Sequence, residues 1–235
     1  MVVAASNPMA VQPLEGLGML LRGWTGARVV AGITTRAADP AAWLSRFHAR
    51  AGAQAEQVHG ASLAIVNRLA DVVVAGCDAL ITHVPGLALR IRTADCLPVF
   101  IADPVHQVIG LAHAGWRGIA AGLPARMVAG FHDVYHSDPA ALQVAIGPAI
   151  RPCCYDVGPD FAPALRPFVQ EAGGRRTCDL IGAAVHQLRG CGVRAERILD
   201  AGRCTACETT EWFSLRREGQ QTGRLVSCLM LTGRG

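Results

Sequence analysis

Three short apolar runs in the middle of the chain limit the folds open to it more than any other feature. Residues 87–92 alternate Leu and Ile with Ala and Arg, and residues 97–102 and 108–112 follow as compact runs rich in branched side chains. Each has the length and composition of a buried strand. The segments between them, residues 93–96 and 103–107, are too short for the crossover that parallel strands require. The runs are therefore expected as neighbours in a sheet that is at least partly antiparallel, with Asp103-Pro104 marking a turn.

Further strands are expected at residues 29–33, 63–66, 79–82, 144–146 and 225–231. Helices are expected at residues 40–51, where Trp43, Leu44 and Phe47 share one side, at 118–131 despite Gly122 and Pro124, and at 181–188. No internal repeat interrupts this order. The expected class is α+β, a single domain over residues 28–235 with mixed, partly antiparallel sheets flanked by helices, preceded by an N-terminal extension at residues 1–27.

A hydrophobic share of 51% in 235 residues is ample for one core, and only 17% of residues are charged, which excludes a charged disordered protein. The longest stretch without a charge, residues 1–14, is broken by Asn7, Pro8, Gln12 and Pro13, so no membrane span is expected. Without an export signal the expectation is cytoplasmic, with reduced thiols for the nine cysteines. All 22 basic residues are Arg, a compositional bias that weakens any inference from the net charge of +4. Residues 1–174 balance 12 Arg against 12 acids, and residues 175–235 carry 10 Arg against 6. That excess suits an anionic small substrate. Nucleic acid is disfavoured, because no dense basic stripe or stacking-aromatic signature is present. Monomer and dimer both stay open.

His59 in Gln57-Val58-His59-Gly60, Cys96 in Thr93-Ala94-Asp95-Cys96, and His113 in His113-Ala114-Gly115-Trp116-Arg117-Gly118 lie at strand ends or in the turns beside them. Their wide spacing excludes a zinc-finger clip and suits a site assembled from separate strands. Two imidazoles and a thiolate can hold Zn²⁺ and leave a fourth position to water, which then ionises near neutral pH. Taken singly, each residue is more readily an ordinary structural histidine or buried thiol. The small neighbours Gly60, Ala94, Ala114 and Gly115, which permit close approach, tip the balance.

These motifs, together with Asp78-Ala79-Leu80-Ile81-Thr82, Cys153-Cys154-Tyr155-Asp156-Val157 after Gly147-Pro148, and Phe213-Ser214-Leu215-Arg216-Arg217 with Thr222-Gly223-Arg224, occur in an order that resembles the laccase-domain family. Members of that family are often labelled polyphenol oxidase and are understood as purine nucleoside phosphorylases with adenosine deaminase side activity. The resemblance covers roughly residues 28–232. It implies Zn²⁺ held by His59, Cys96 and His113, and phosphorolysis of adenosine, inosine, guanosine or 5′-methylthioadenosine, with purine nucleosides and phosphate as partners. Three departures stand out. Ala37-Ala38-Asp39-Pro40 replaces a glycine-glycine turn and a longer loop, Ala55-Glu56 stands where an aromatic residue is usual, and Leu215 replaces a common tyrosine.

For phosphate, the forked guanidiniums of Arg36, Arg117, Arg216 and Arg224 are the candidates, with Arg117 favoured by its place beside the His113 motif. Asp95 and Asp78 are the acid or base candidates, Asp95 serving equally as a group that orients a ligand and Asp78 also as a substrate contact. The His-x-Glu and Pro-Cys-x-x-Cys pattern of base deaminases is absent. Trp116 and Tyr155 border the pocket or belong to the core. Cys153-Cys154 and Cys204-Thr205-Ala206-Cys207 fit a redox pair, a four-sulfur zinc site or plain buried thiols, the last being the expectation. Three rivals remain. Copper oxidase chemistry is disfavoured because none of the eight histidines forms a His-x-His pair. A metal-free cysteine hydrolase would use Cys96 as nucleophile and His113 as base. A binding protein would keep the tripod for stability alone.

Overall fold

The computed structural model describes residues 9–14 and 18–233. In chain order the elements are β1 (Ala10–Leu14), β2 (Gly18–Arg22), β3 (Val29–Thr34), α1 (Pro40–Ser45), β4 (Ala51–Ala55), β5 (Leu63–Ile65), β6 (Val72–Val74), β7 (Ala79–Thr82), β8 (Leu87–Thr93), β9 (Leu97–Asp103) and β10 (Val108–Ala114). They continue as α2 (Trp116–Ala120), α3 (Leu123–Tyr135), β11 (Gln143–Ile146), β12 (Val169–Ala172), β13 (Arg175–Cys178), α4 (Leu180–Gly190), β14 (Ile198–Asp200), α5 (Leu215–Glu218) and β15 (Leu225–Leu231).

Two large sheets carry the fold. A seven-stranded sheet has the order β1-β2-β3-β15-β8-β4-β6, antiparallel except for β4, which runs parallel to both β8 and β6. A six-stranded sheet has the order β14-β11-β9-β10-β7-β5, with parallel pairs at both edges and antiparallel pairs between. The class is α+β with mixed sheets, as expected. Residues 1–8 of the segment set apart as an extension lie outside the described residues. Its residues 10–14 and 18–22 form a hairpin that adds two strands to the larger sheet, with Met19 and Leu21 buried.

Alternation along the strands explains the layering. Leu87, Leu89 and Ile91 of β8 and Leu229 and Leu231 of β15 meet Phe100, Ile109, Leu111 and Ala145 of the second sheet in one core. The opposite face of the second sheet sends Val99, Ile101, Val108 and Ala112 against Met127 and Phe131 of α3 and Leu180 and Leu188 of α4. α1 covers the outer face of the first sheet, where Trp43 and Phe47 pack on Ala88, Cys228 and Met230. Gly110 lets α3 lie close, since a Cβ there would sit 2.7 Å from Met127 Cε and 2.8 Å from the Phe131 ring.

The structure corrects three local expectations. Strands β8 and β9 are not sheet neighbours: the chain changes sheet within residues 94–96, and Asp95, at φ 87°, makes the corner. β9 and β10 do form the expected antiparallel hairpin, closed by Asp103, whose carboxylate accepts from Val105 and His106 amides. The helix from residue 40 stops at Ser45, because Ala51–Ala55 is drawn into the sheet beside β8. The helix expected at 118–131 is two, α2 and α3, separated by Gly122 at φ 82° with Pro124 in the first turn of α3. No helix among the described residues is long and apolar enough to cross a membrane.

Phe100 is fully buried between the sheets. Phe100→Ala is expected to cost about 3–5 kcal/mol by urea denaturation at unchanged m, since both sheets are too constrained to collapse into the void.

Candidate active site at the mouth of the sandwich

The sheet change at residues 94–96 places Cys96 at the end of the sandwich, beside the last turn of β10, which carries His113. His59 comes from the loop after β4 and is itself in the left-handed region at φ 60°, a conformation uncommon outside glycine. The three potential donor atoms of His59, Cys96 and His113 lie within 4.8 Å of one another. The two imidazole rings meet edge to face with centroids 4.8 Å apart. Exposure falls from the open His59 through the half-buried Cys96 to the buried His113. Gly115 leaves the room: a Cβ there would come within 3.1 Å of Cys96 Sγ and 3.5 Å of His59 Cδ2. Gly118 does the same one turn on, since a Cβ would lie 2.7 Å from the Gly60 carbonyl oxygen.

One buried carboxylate organises this arrangement. Asp78, fully buried, pairs its Oδ1 with His113 Nδ1 at 2.8 Å and accepts the His59 amide there at 2.9 Å. Its Oδ2 accepts the Gly60 amide at 2.7 Å, and its carbonyl accepts the His113 amide at 2.8 Å. Burial alone would push the carboxyl up, and these donors hold it below its usual range. Burial likewise opposes the His113 imidazolium, and the pairing with Asp78 and Cys96 raises its pKa to about 9. For Cys96 burial pushes the thiol up, while hydrogen bonds with His113 and His59 bring it to about 7. With Nδ1 committed to Asp78, Nε2 of His113 is the ring nitrogen left for the Cys96 side, which is the arrangement in which a carboxylate orients a metal-binding histidine.

A cleft of about 570 Å³ opens over the tripod, walled by Glu56, Gln57, Arg92, Leu215, Gln220 and Arg224. Gln57 clamps the β8 end, accepting the Arg92 amide at 2.8 Å and donating to the Arg92 carbonyl at 2.5 Å. Of the expected substrate residues, Arg224 stands on the cleft wall and donates to the carbonyls of Thr222 and Gly223. Asp78 supports the tripod from behind. The other three arginines are engaged elsewhere. Arg36 pairs with Glu218 at 2.6 Å and lies over Phe213, Arg117 lies over Trp116 at 4.4 Å, and Arg216 lies over Tyr155 at 4.9 Å while donating to the Asp156 carbonyl. Trp116 itself packs on Phe161.

The hydrogen bonds of the Asp95 side chain run to residues outside the tripod. Its carboxylate accepts Thr205 Oγ1 at 2.7 Å and the Arg216 amide at 2.7 Å, fastening the sheet-changing corner to Thr205 and to the first turn of α5. Sequence reasoning missed Arg92, Gln57 and Glu56 as cleft residues. Arg92 sits two residues beyond Arg90 on the polar face of an otherwise apolar β8, and that alternation was the available signal.

A family model described as multi-copper polyphenol oxidoreductase laccase matches residues 35–232. The chain is 38% identical over 189 residues to purine nucleoside phosphorylase YlmD of Geobacillus stearothermophilus, a match spanning 73% of this chain and 69% of that protein. It is 32% identical over 158 residues to adenosine deaminase RL5 from an unknown prokaryotic organism, spanning 63% of this chain and 60% of that protein. The crystal structure of YlmD from Geobacillus stearothermophilus shares the fold at a TM-score of 0.84 and 31% identity, over 96% of this chain and 100% of that one.

Removing the Asp78 carboxylate strands the buried ring N–H of His113 and two amides. Asp78→Ala is therefore expected to cost about 3–5 kcal/mol in chemical denaturation. Asp156→Ala, which breaks the exposed pair with Arg175, is expected to cost less than about 1 kcal/mol in the same measurement.

Proposed function

This chain belongs to the family described as multi-copper polyphenol oxidoreductase laccase, and on that footing we propose that it is a zinc-dependent purine nucleoside phosphorylase with adenosine deaminase activity. Its substrates are adenosine, inosine, guanosine and 5′-methylthioadenosine. The observation that carries the reading is the convergence of His59, Cys96 and His113 at the floor of an open cleft. Two nitrogens and one sulfur suit zinc, and three protein donors at a cleft floor leave room for a reactant. Zinc, when bound, supplies Lewis-acid activation. The names of the relatives YlmD and RL5 support the nucleoside substrates and the two reactions. A trinuclear copper centre is disfavoured, because the eight histidines include no His-x-His pair, which leaves copper at the His2Cys tripod as the less favoured alternative.

Phosphorolysis breaks the bond between ribose C1′ and the purine nitrogen and forms a bond from C1′ to a phosphate oxygen, releasing the free base. The chain's own residues meet three needs of that exchange. Arg92 and Arg224, both on the cleft wall, hold the phosphate dianion. Glu56, the carboxylate among the cleft-lining residues, moves a proton. One of its oxygens, Oε2, is occupied by the Gly76 amide at 2.6 Å, and Oε1 remains for substrate. Asp78 keeps His113 oriented and takes no proton. The acid or base role thus passes from Asp95 and Asp78, whose oxygens are engaged, to Glu56.

Incubation with inosine or adenosine is expected to yield free base and ribose 1-phosphate only when phosphate is present, and ammonia from adenosine without it. Arg92→Ala and Arg224→Ala are expected to raise KM for phosphate about 10- to 100-fold, leaving phosphate-independent ammonia release far less affected. Glu56→Gln is expected to lower kcat by about 100-fold or more. His59→Ala, Cys96→Ala and His113→Ala are each expected to abolish turnover. Activity that survives chelators and is lost to alkylation of Cys96 would instead assign the site to a cysteine hydrolase. Absence of any product would favour a binding protein.

A further inference from the structure

Four cysteines outside the cleft meet because of the way the second sheet is wound. β11 and β14 run parallel and in register from Val144 beside Ile198 to Ile146 beside Asp200, so both strands leave the sheet at the same end. Their pairing continues past the strands, where Ala149 bridges to Cys204, the Ala149 amide donates to the Arg203 carbonyl and the Thr205 amide donates to the Ala149 carbonyl. Cys153 and Cys154 follow on one segment, Cys204 and Cys207 on the other. The topology therefore delivers two cysteine pairs to one point.

The sulfurs are arranged as a group. Cys153 lies 3.6 Å from Cys204 and 3.5 Å from Cys207, Cys154 lies 3.4 Å from Cys207, and all four sulfurs fall within 4.8 Å of one another. Each of these short contacts crosses from one segment to the other, so no single dithiol is set apart as a redox pair. None is at the disulfide distance of about 2.05 Å, and all nine cysteines are free. A tetrahedral ion bound to sulfur at about 2.3 Å places its ligands about 3.8 Å apart. The three short contacts reach that spacing by opening a few tenths of an ångström, and the other pairs, all within 4.8 Å, by closing by at most about 1 Å. Cys153 and Cys207 are exposed, which corrects the expectation of plain buried thiols.

We propose that Cys153, Cys154, Cys204 and Cys207 form a second metal site, a structural four-thiolate zinc centre separate from the cleft. Each thiol that enters the coordination shell gives its proton to solvent, and four protein ligands leave no position for a reactant. The centre is a clasp. It joins the turn before Tyr155, on which Arg216 lies, to Thr205, whose hydroxyl holds Asp95 next to Cys96.

The test uses the full chain with the cleft tripod disabled by His59→Ala and Cys96→Ser, changes that keep the His113–Asp78 pair. Purified from zinc-supplemented cells, this variant is expected to retain one zinc per chain, and addition of Cys153→Ser and Cys207→Ser is expected to remove it. Should the second variant fail to fold, cobalt(II) exchange into the first decides alone: four-sulfur ligation gives strong thiolate-to-cobalt charge-transfer absorption. Absence of bound zinc, absence of that absorption, or an unreduced mass lighter by two hydrogens per cysteine pair would overturn the proposal.

Discussion

A carboxylate removed entirely from water must be satisfied by donors, and Asp78 draws its donors from the parts that make up the site. The His113 ring, the His59 amide and the Gly60 amide all converge on it. Desolvating such a charge without partners would cost several kcal/mol, so the loop after β4 and the end of β10 are held in one arrangement by the penalty for leaving it. The left-handed φ at His59 is retained under the same constraint. The orientation of one imidazole, and the nearness of the other, follow from a residue that itself faces no substrate.

The sandwich supplies the rest. Because the chain passes from one sheet to the other within residues 94–96, Cys96 stands where the two layers end, rather than inside either. Arg92 at the end of β8, Arg224 just before β15 and Glu56 just after β4 belong to three neighbouring strands of the first sheet, and the tripod rests against the second. The cleft is thus a seam between layers. Asp95 closes the seam from its far side by tying the corner to Thr205 and Arg216, and the paired cysteine segments reach the same corner from the parallel edge of the second sheet.

Much of this was legible in the sequence, and what was missed has physical causes. The apolar strands β8, β9, β10 and β15 declared themselves through branched residues at strand spacing. Ala51–Ala55 did not, because Ala-Gly-Ala-Gln-Ala carries no β-forming side chain and owes its conformation to pairing with β8. The strands β6, Val-Val-Val, and β14, Ile-Leu-Asp, do carry such side chains, but at three residues each they are too short to show a strand period. The tripod was visible because its ligands sit among small residues that only close approach explains. Chemistry alone does not separate one guanidinium from another. Arg36 answers to Glu218 and Arg216 to Tyr155, partners more than fifty residues away, while Arg92 looked like the polar side of a strand.

The central claim is that two imidazoles and a thiolate, steadied by Asp78, grip one metal ion and keep a position open to the cleft. Anomalous diffraction at the zinc edge, on crystals of protein purified without added metal, tests it most directly. The account predicts a peak among His59, Cys96 and His113, about 2.0–2.1 Å from nitrogen and about 2.3 Å from sulfur. An ordered site with the three side chains turned apart and no anomalous peak between them would contradict it.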